Sequence, residues 1–338
     1  MEKIDHSPDF KNLNPVHVNT PLEKKIKTVL GIILAVALLA SLIAMITFSL
    51  GNPKLAEGTE LCFFEKIVFF LLAGMERPGL YGTWHICSLI ITAAVTVFLS
   101  IRYKNADNKR LRKVLFVVWI IMVLFEIYKQ VIFSMDSDGM TATWAYQWYA
   151  FPFQFCSTPL YLLPILIFVP EGRFRNAVMA YMATFSLCAG LAVMFYPSTV
   201  FVDIIGINIQ TMVHHGFQVA IGIMLVVHNR HHLNKRFFAW CMMVFTALAL
   251  IANTLNIVMY NVFQHLGMDQ TFNMFFVSPY YPGDLPILCD IHGKVPYPIY
   301  LLIYIVGFTL ISMIVYTIEK MIVKIAIKEK FIRDKHND

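Results

Sequence analysis

A succession of apolar runs, each long enough to cross a bilayer, decides what this chain can fold into. Val29–Leu50 contains 22 residues and no charge. Seven more runs follow: Trp84–Ile101, Val114–Met135, Trp148–Pro170, Ala177–Phe195, Ile207–His228, Phe237–Val262 and Pro298–Glu319. A spanning helix needs about 20 apolar residues, and lipid leaves no water to satisfy an open backbone. The runs therefore predict an all-α fold, a polytopic helical membrane bundle of eight transmembrane helices. The chain is 58% hydrophobic and 14% charged, where soluble domains average about 45–50% and about 25%.

The segments between the runs divide the chain. Residues 1–27 are polar, contain Pro8, Pro15 and Pro21, and end in Lys24, Lys25 and Lys27. They are expected to be a cytoplasmic tail. Residues 28–50 form an N-terminal helix, too long for a signal-peptide core and without a small-residue cleavage site. Residues 51–83 are an outer loop. Within it, Leu61–Ala73 is apolar but short and broken by Glu65 and Lys66, which fits an interfacial helix. Residues 84–320 form a seven-helix core, and 321–338 a basic cytoplasmic tail.

Charge asymmetry orients this arrangement. With the N-terminus in the cytoplasm, the inside segments hold 22 of the 27 Lys and Arg residues. The outside segments hold only Lys54, Lys66, Arg77 and Lys294, and Lys129 lies within a span. Both termini are thus expected inside, in a multi-pass protein of the plasma membrane. The net charge of +6 follows from topology rather than from nucleic-acid binding. Membrane lipids are the expected partners.

One run carries an unusual polar stripe. In QTMVHHGFQ, Gln210, His214 and Gln218 recur every four residues and share a helical face. Polar side chains on a spanning helix must face protein or a water-filled cavity. The orientation puts other polar residues at a similar depth. At 1.5 Å per residue, His214 lies roughly 10 Å below the outer surface, and Glu126 and Lys129 about 9–14 Å below it. Gln154 and Cys156, and Asn253 and Asn256, fall about 9–15 Å down, and His85 opens its span at the outer boundary. The inner halves are mostly aliphatic, which suggests a cavity in the outer half of the bilayer rather than a channel.

These residues admit more than one reading. Glu126 can neutralise Lys129 three residues on, or it can orient a histidine and raise its basicity. His214 and His215 point to different faces, and the flanking glutamines favour His214 as the one facing the cavity. Cys156 is a small buried filler or a nucleophile. Cys62 and Cys289 both fall in outer loops, where a disulfide is conceivable. No His-x-x-x-His lies within one span, so no metal or other cofactor is expected. Pro152, Pro159 and Pro164 should kink the span that carries Cys156.

The same residues resemble those of the YwaF-type integral membrane proteins of bacteria. The matching signals run in order from His85 through Glu126 and Pro152-Phe-Gln-Phe-Cys156 to Pro197 and His214. They continue with Asn253 and Asn256 and end in the stretch Phe272-Asn273 to Pro279. Gln154 stands where the family has a histidine, and the first span and polar tail look like additions. The family is distantly similar to a eukaryotic membrane acyltransferase that remodels ether phospholipids with a cysteine and a histidine. The resemblance implies Cys156 as nucleophile and His214 as base.

Three functions are therefore open. In a lipid acyltransferase, Cys156 attacks an ester, His214 moves the proton and Glu126 orients the imidazole, with Gln154 or Asn256 donating to the oxyanion. Gln210, Gln218, Asn253, His85 and Asn273 would line the substrate site. In a binding or transport protein, the same layer holds a small polar solute. In a structural membrane partner, it only locks helices together.

Overall fold

The computed structural model describes residues 67–335 apart from 68, 138–141, 198, 230–234 and 284. The expected cytoplasmic tail, the helix at 28–50 and Cys62 lie outside the described residues. Among the described residues seven helices of ten or more residues follow: α1 (Thr83–Tyr103), α2 (Asn108–Ile132), α3 (Pro159–Phe168), α4 (Arg173–Phe195), α5 (Ile205–His228), α6 (Lys235–Leu266) and α7 (Tyr297–Lys335). All except α3 contain a stretch long and apolar enough to cross a membrane. A short antiparallel hairpin, Met135–Ser137 with Ala142–Trp144, follows α2.

Local sequence sets the helix ends. Asp107 caps α2 by accepting a 2.8 Å bond from the Arg110 N–H. Pro159 occupies the first turn of α3, where its missing N–H costs nothing. A π-helical stretch, Met182–Ser186, interrupts α4.

The fourth run is not the continuous kinked helix that its prolines suggested. A 3₁₀ turn at Trp148–Ala150 leads through extended residues to a second at Phe155–Ser157, and only then does α3 begin. Pro152 lies in the extended part, so the chain gives up the helix there instead of bending it. The whole segment nevertheless runs the length of α2 in the opposite direction. At one end the Gln147 N–H donates to the Phe133 carbonyl, and the Gln130 amide donates to Ala150. Midway the Trp119 indole N–H donates to the Leu160 carbonyl. At the other end the Arg112 guanidinium holds the carbonyls of Ile167 and Val169 at 2.9 and 2.8 Å. Side chains of α2 thus bond carbonyls that a regular helix would have used itself.

α4 and α5 are largely buried, whereas α2, α6 and α7 present much of their surface outward. Small residues allow the inner helices to approach closely, the usual device where lipid competes equally for apolar surface. A Cβ on Gly190 of α4 would lie 2.8 Å from Cβ of Gln218, and one on Gly216 would lie 2.7 Å from Thr92 Oγ1 of α1. Large apolar side chains such as Phe98, Leu124, Met243, Leu302 and Ile314 are exposed, as a lipid-facing surface requires.

The loop between α6 and α7 folds back onto the bundle. Phe272, Met274 and Phe275 are buried in the main core. Phe275 and Phe276 both adopt positive φ, 57° and 55°, which is costly for residues with a side chain.

Candidate functional site

The stripe on α5 is buried and meets two different elements. Gln210 is 5% exposed, His214 2% and Gln218 0%. Gln210 reaches α2, where its amide lies 3.4 Å from Glu126 Oε2. His214 and Gln218 reach the break before α3. His214 Nε2 is 2.9 Å, and Gln218 Nε2 2.8 Å, from the carbonyl oxygen of Cys156. The Gln218 amide also lies 3.3 Å from Ser186 Oγ, at the end of the π-helical stretch. One face of one helix therefore links α2, the Cys156 turn and α4, as its four-residue spacing predicted.

A carbonyl can only accept, so His214 Nε2 carries the proton and its Nδ1 holds a bare lone pair. His215 is fixed the other way round. Its Nδ1 donates at 2.7 Å to the Thr211 carbonyl one turn back, leaving Nε2 bare. Among the described residues, three buried acceptors on α5 then have no hydrogen-bond partner: His214 Nδ1, His215 Nε2 and Gln218 Oε1. Both histidines are buried, but only His214 reaches across to Cys156. Cys156 itself is half-buried.

Glu126 is engaged by its own helix. Oε1 accepts from Lys129 Nζ at 3.1 Å and from the Gln130 amide at 2.7 Å. Among the described residues it bonds no imidazole, so neutralisation by Lys129 is the arrangement observed. Gln130 was not anticipated, although its place one turn beyond Glu126 was the available signal. Its carbonyl oxygen accepts from the Tyr146 hydroxyl at 2.7 Å. Burial, and then the Glu126 carboxylate, raise the pKa of the Tyr146 phenol and keep it a donor.

The amides on the other side serve the returning loop. The Gln154 amide donates to the Asn273 carbonyl at 3.0 Å and accepts from the Phe275 N–H at 2.9 Å. Asn256 brackets Met274, accepting from its N–H at 2.7 Å and donating to its carbonyl at 3.0 Å. Asn273 binds Tyr281, Pro282 and Ser278 of the same loop. Asn253 accepts from the Tyr297 hydroxyl. His85 is not brought to Cys156. Its ring joins the Tyr81 N–H, at 2.9 Å, to the Met194 carbonyl, at 2.7 Å, and stacks on Tyr81. No group of three or more His, Cys, Asp or Glu suited to a metal occurs among the described residues.

A groove of about 420 Å³ opens between α2 and the broken segment. Its walls are Val123, Glu126, Ile127, Gln130, Val131 and Ser134 on one side, and Pro152, Leu160 and Tyr161 on the other. Such a volume falls in the usual range for small-molecule sites, about 300–1,000 Å³.

Together these features define a multi-pass helical membrane protein with a buried polar layer beside a lateral groove. The chain belongs to the TMEM164 family, whose model matches residues 80–317, from just before α1 into the second half of α7. No curated protein and no solved structure matches it.

Proposed function

We propose that this protein is a lipid acyltransferase working in the outer half of the plasma membrane, with Cys156 as nucleophile and His214 as base. One observation carries the reading. The half-buried thiol sits on a turn whose carbonyl is gripped by His214 Nε2–H, which leaves the other ring nitrogen bare. The resemblance to YwaF-type proteins, and through them to an ether-phospholipid acyltransferase, supports it.

The chemistry balances with these two groups. The His214 imidazole turns away from the Cys156 carbonyl, which Gln218 goes on holding, and takes the thiol proton, and the sulfur attacks the ester carbonyl carbon of an acyl lipid. The C–O bond breaks, the leaving alcohol takes the proton, and a thioester remains on Cys156. A hydroxyl of a second lipid then attacks the thioester. It gives its proton to His214, and the thiol is restored. Gln154 and Asn256 we assign to holding the loop at 272–282 over the site, because their amides are bonded to its main chain. Glu126 we assign, with Lys129 and Gln130, to fixing Gln210 beside the histidine.

The test is the lipid profile of cells lacking the protein, complemented with Cys156→Ser or His214→Gln. Glutamine can still donate to the Cys156 carbonyl but cannot take a proton. Each variant should lower acyl transfer by about 10²-fold or more, the usual scale for losing a positioned acid–base group. Profiles equal to wild type, with normally folded variants, overturn the assignment. A second reading rests on the three bare acceptors, which suit a small polar solute with N–H or O–H groups. It predicts that Cys156→Ser is silent, while Gln218→Leu abolishes binding.

A further inference from the structure

We infer that the groove between α2 and the broken segment holds one acyl chain of an outer-leaflet phospholipid, entering sideways from the bilayer. The inference deepens the proposed function by naming the substrate's entry route and the part of it that is bound.

The groove follows a single stripe of α2. Val123, Glu126, Ile127, Gln130 and Val131 recur at helical spacing, and Ser134 continues the line two residues past the end of α2. From Val123 to Val131 that stripe is roughly 12 Å long at 1.5 Å per residue, and Ser134 extends the groove just beyond the helix end. Half of a hydrocarbon core about 30 Å thick is about 15 Å, the depth of one leaflet. The groove is therefore about as long as one chain of one leaflet. It also opens towards lipid, since Ile127 and Tyr161 in its walls, and Leu124 beside it, are exposed.

The wall chemistry selects a chain over a polar solute. The polar side chains there are already bonded within the protein. Glu126 receives Lys129, Gln130 and Gln210. Gln130 also donates to the Ala150 carbonyl and accepts from Tyr146. The Ser134 hydroxyl donates to the Gln130 carbonyl at 2.6 Å, and that of Tyr161 to the Pro152 carbonyl at 2.7 Å. A polar guest would lose its water and find few bonds in return, whereas methylenes lose nothing. Between Pro152 and Leu160 the same segment carries Cys156.

Photo-crosslinking tests this. The full-length protein is reconstituted into phosphatidylcholine vesicles containing a trace of phosphatidylcholine with a diazirine in one acyl chain. Crosslinked peptides are then mapped. Adducts should concentrate on the groove stripe of α2 and on the 152–161 segment. Val131→Trp, which fills the groove, should reduce those adducts by about tenfold, since two methylenes of lost contact suffice for that. Leu310→Trp, on the exposed face of α7, should leave them unchanged. Thermal unfolding of each variant controls for folding. Adducts spread evenly over the exposed faces of α2, α6 and α7, with no effect of Val131→Trp, overturn the inference. The crosslink needs no turnover, so the two proposals fail separately. Groove adducts with a silent Cys156→Ser sink acyl transfer alone. Even labelling with an inactive Cys156→Ser sinks the groove alone.

Discussion

His214 uses its two ring nitrogens differently: one is bonded to main chain, and to the other the proposed function gives the proton transfer. The first holds the Cys156 carbonyl, and the second is bare. Substitutions can separate the two jobs. His214→Leu leaves the carbonyl to Gln218 alone and should destabilise the protein by about 0.5–1.5 kcal/mol, the net value of one hydrogen bond. His214→Gln should keep most of that stability, and thermal unfolding in detergent would show the contrast. Glu126 offers a second prediction. Glu126→Gln strands the partly buried Lys129, and breaking such a pair costs about 3–5 kcal/mol when fully buried, so about half of that is expected. Adding Lys129→Met should restore most of the loss. The stripe on α5 was readable because helical periodicity places Gln210, His214 and Gln218 on one face whatever lies opposite. The partners of Gln154 and Asn256 were not readable. An amide in an apolar run signals only that something polar must meet it, and here that was loop main chain.

Elements were legible in proportion to their regularity. The six long helices follow the apolar runs, because in lipid a long apolar segment has few other ways to satisfy its backbone. The fourth run has equal length yet breaks, and its prolines announced a disturbance without its form. What rescues the break is side-chain chemistry on α2: Gln130, Trp119 and Arg112 bond the carbonyls it exposes. The positive φ of Phe275 and Phe276 left no trace in the sequence, since neither is a glycine or asparagine. Two predictions belong at this scale. Gly190→Ala places a methyl 2.8 Å from Cβ of Gln218 and 3.0 Å from the His215 carbonyl. It should cost about 1–3 kcal/mol as α4 and α5 are pushed apart, and it should also loosen the grip on Cys156. Asn256→Ala leaves the Met274 N–H without its partner, while the carbonyl keeps the Val277 N–H, and should cost a similar amount. It should also speed protease cleavage within 272–282, which limited proteolysis would detect.

At the scale of the molecule, the charge bias and the broken segment depend on each other. The excess of Lys and Arg on one side holds only if every run alternates, including the fourth, whose α3 alone is too short to span. The contacts along α2 make the crossing physically reasonable. Gln147 and Ala150 meet the end of α2 near Phe133, and Ile167 and Val169 meet its start near Arg112. Residues before and after the segment should then lie on opposite faces of the membrane. Cysteines at Tyr149 and Glu171, each the sole cysteine in a chain whose six native cysteines are replaced by serine, would decide it with an impermeant maleimide. Tyr149→Cys should be labelled from outside intact cells, and Glu171→Cys only after permeabilisation. Asp269→Cys and Lys109→Cys provide the matching outer and inner controls. Labelling of both test sites from one side would mean the segment re-enters without crossing. The basic segments would then no longer share a side, and the polar layer could not be assigned to the outer leaflet.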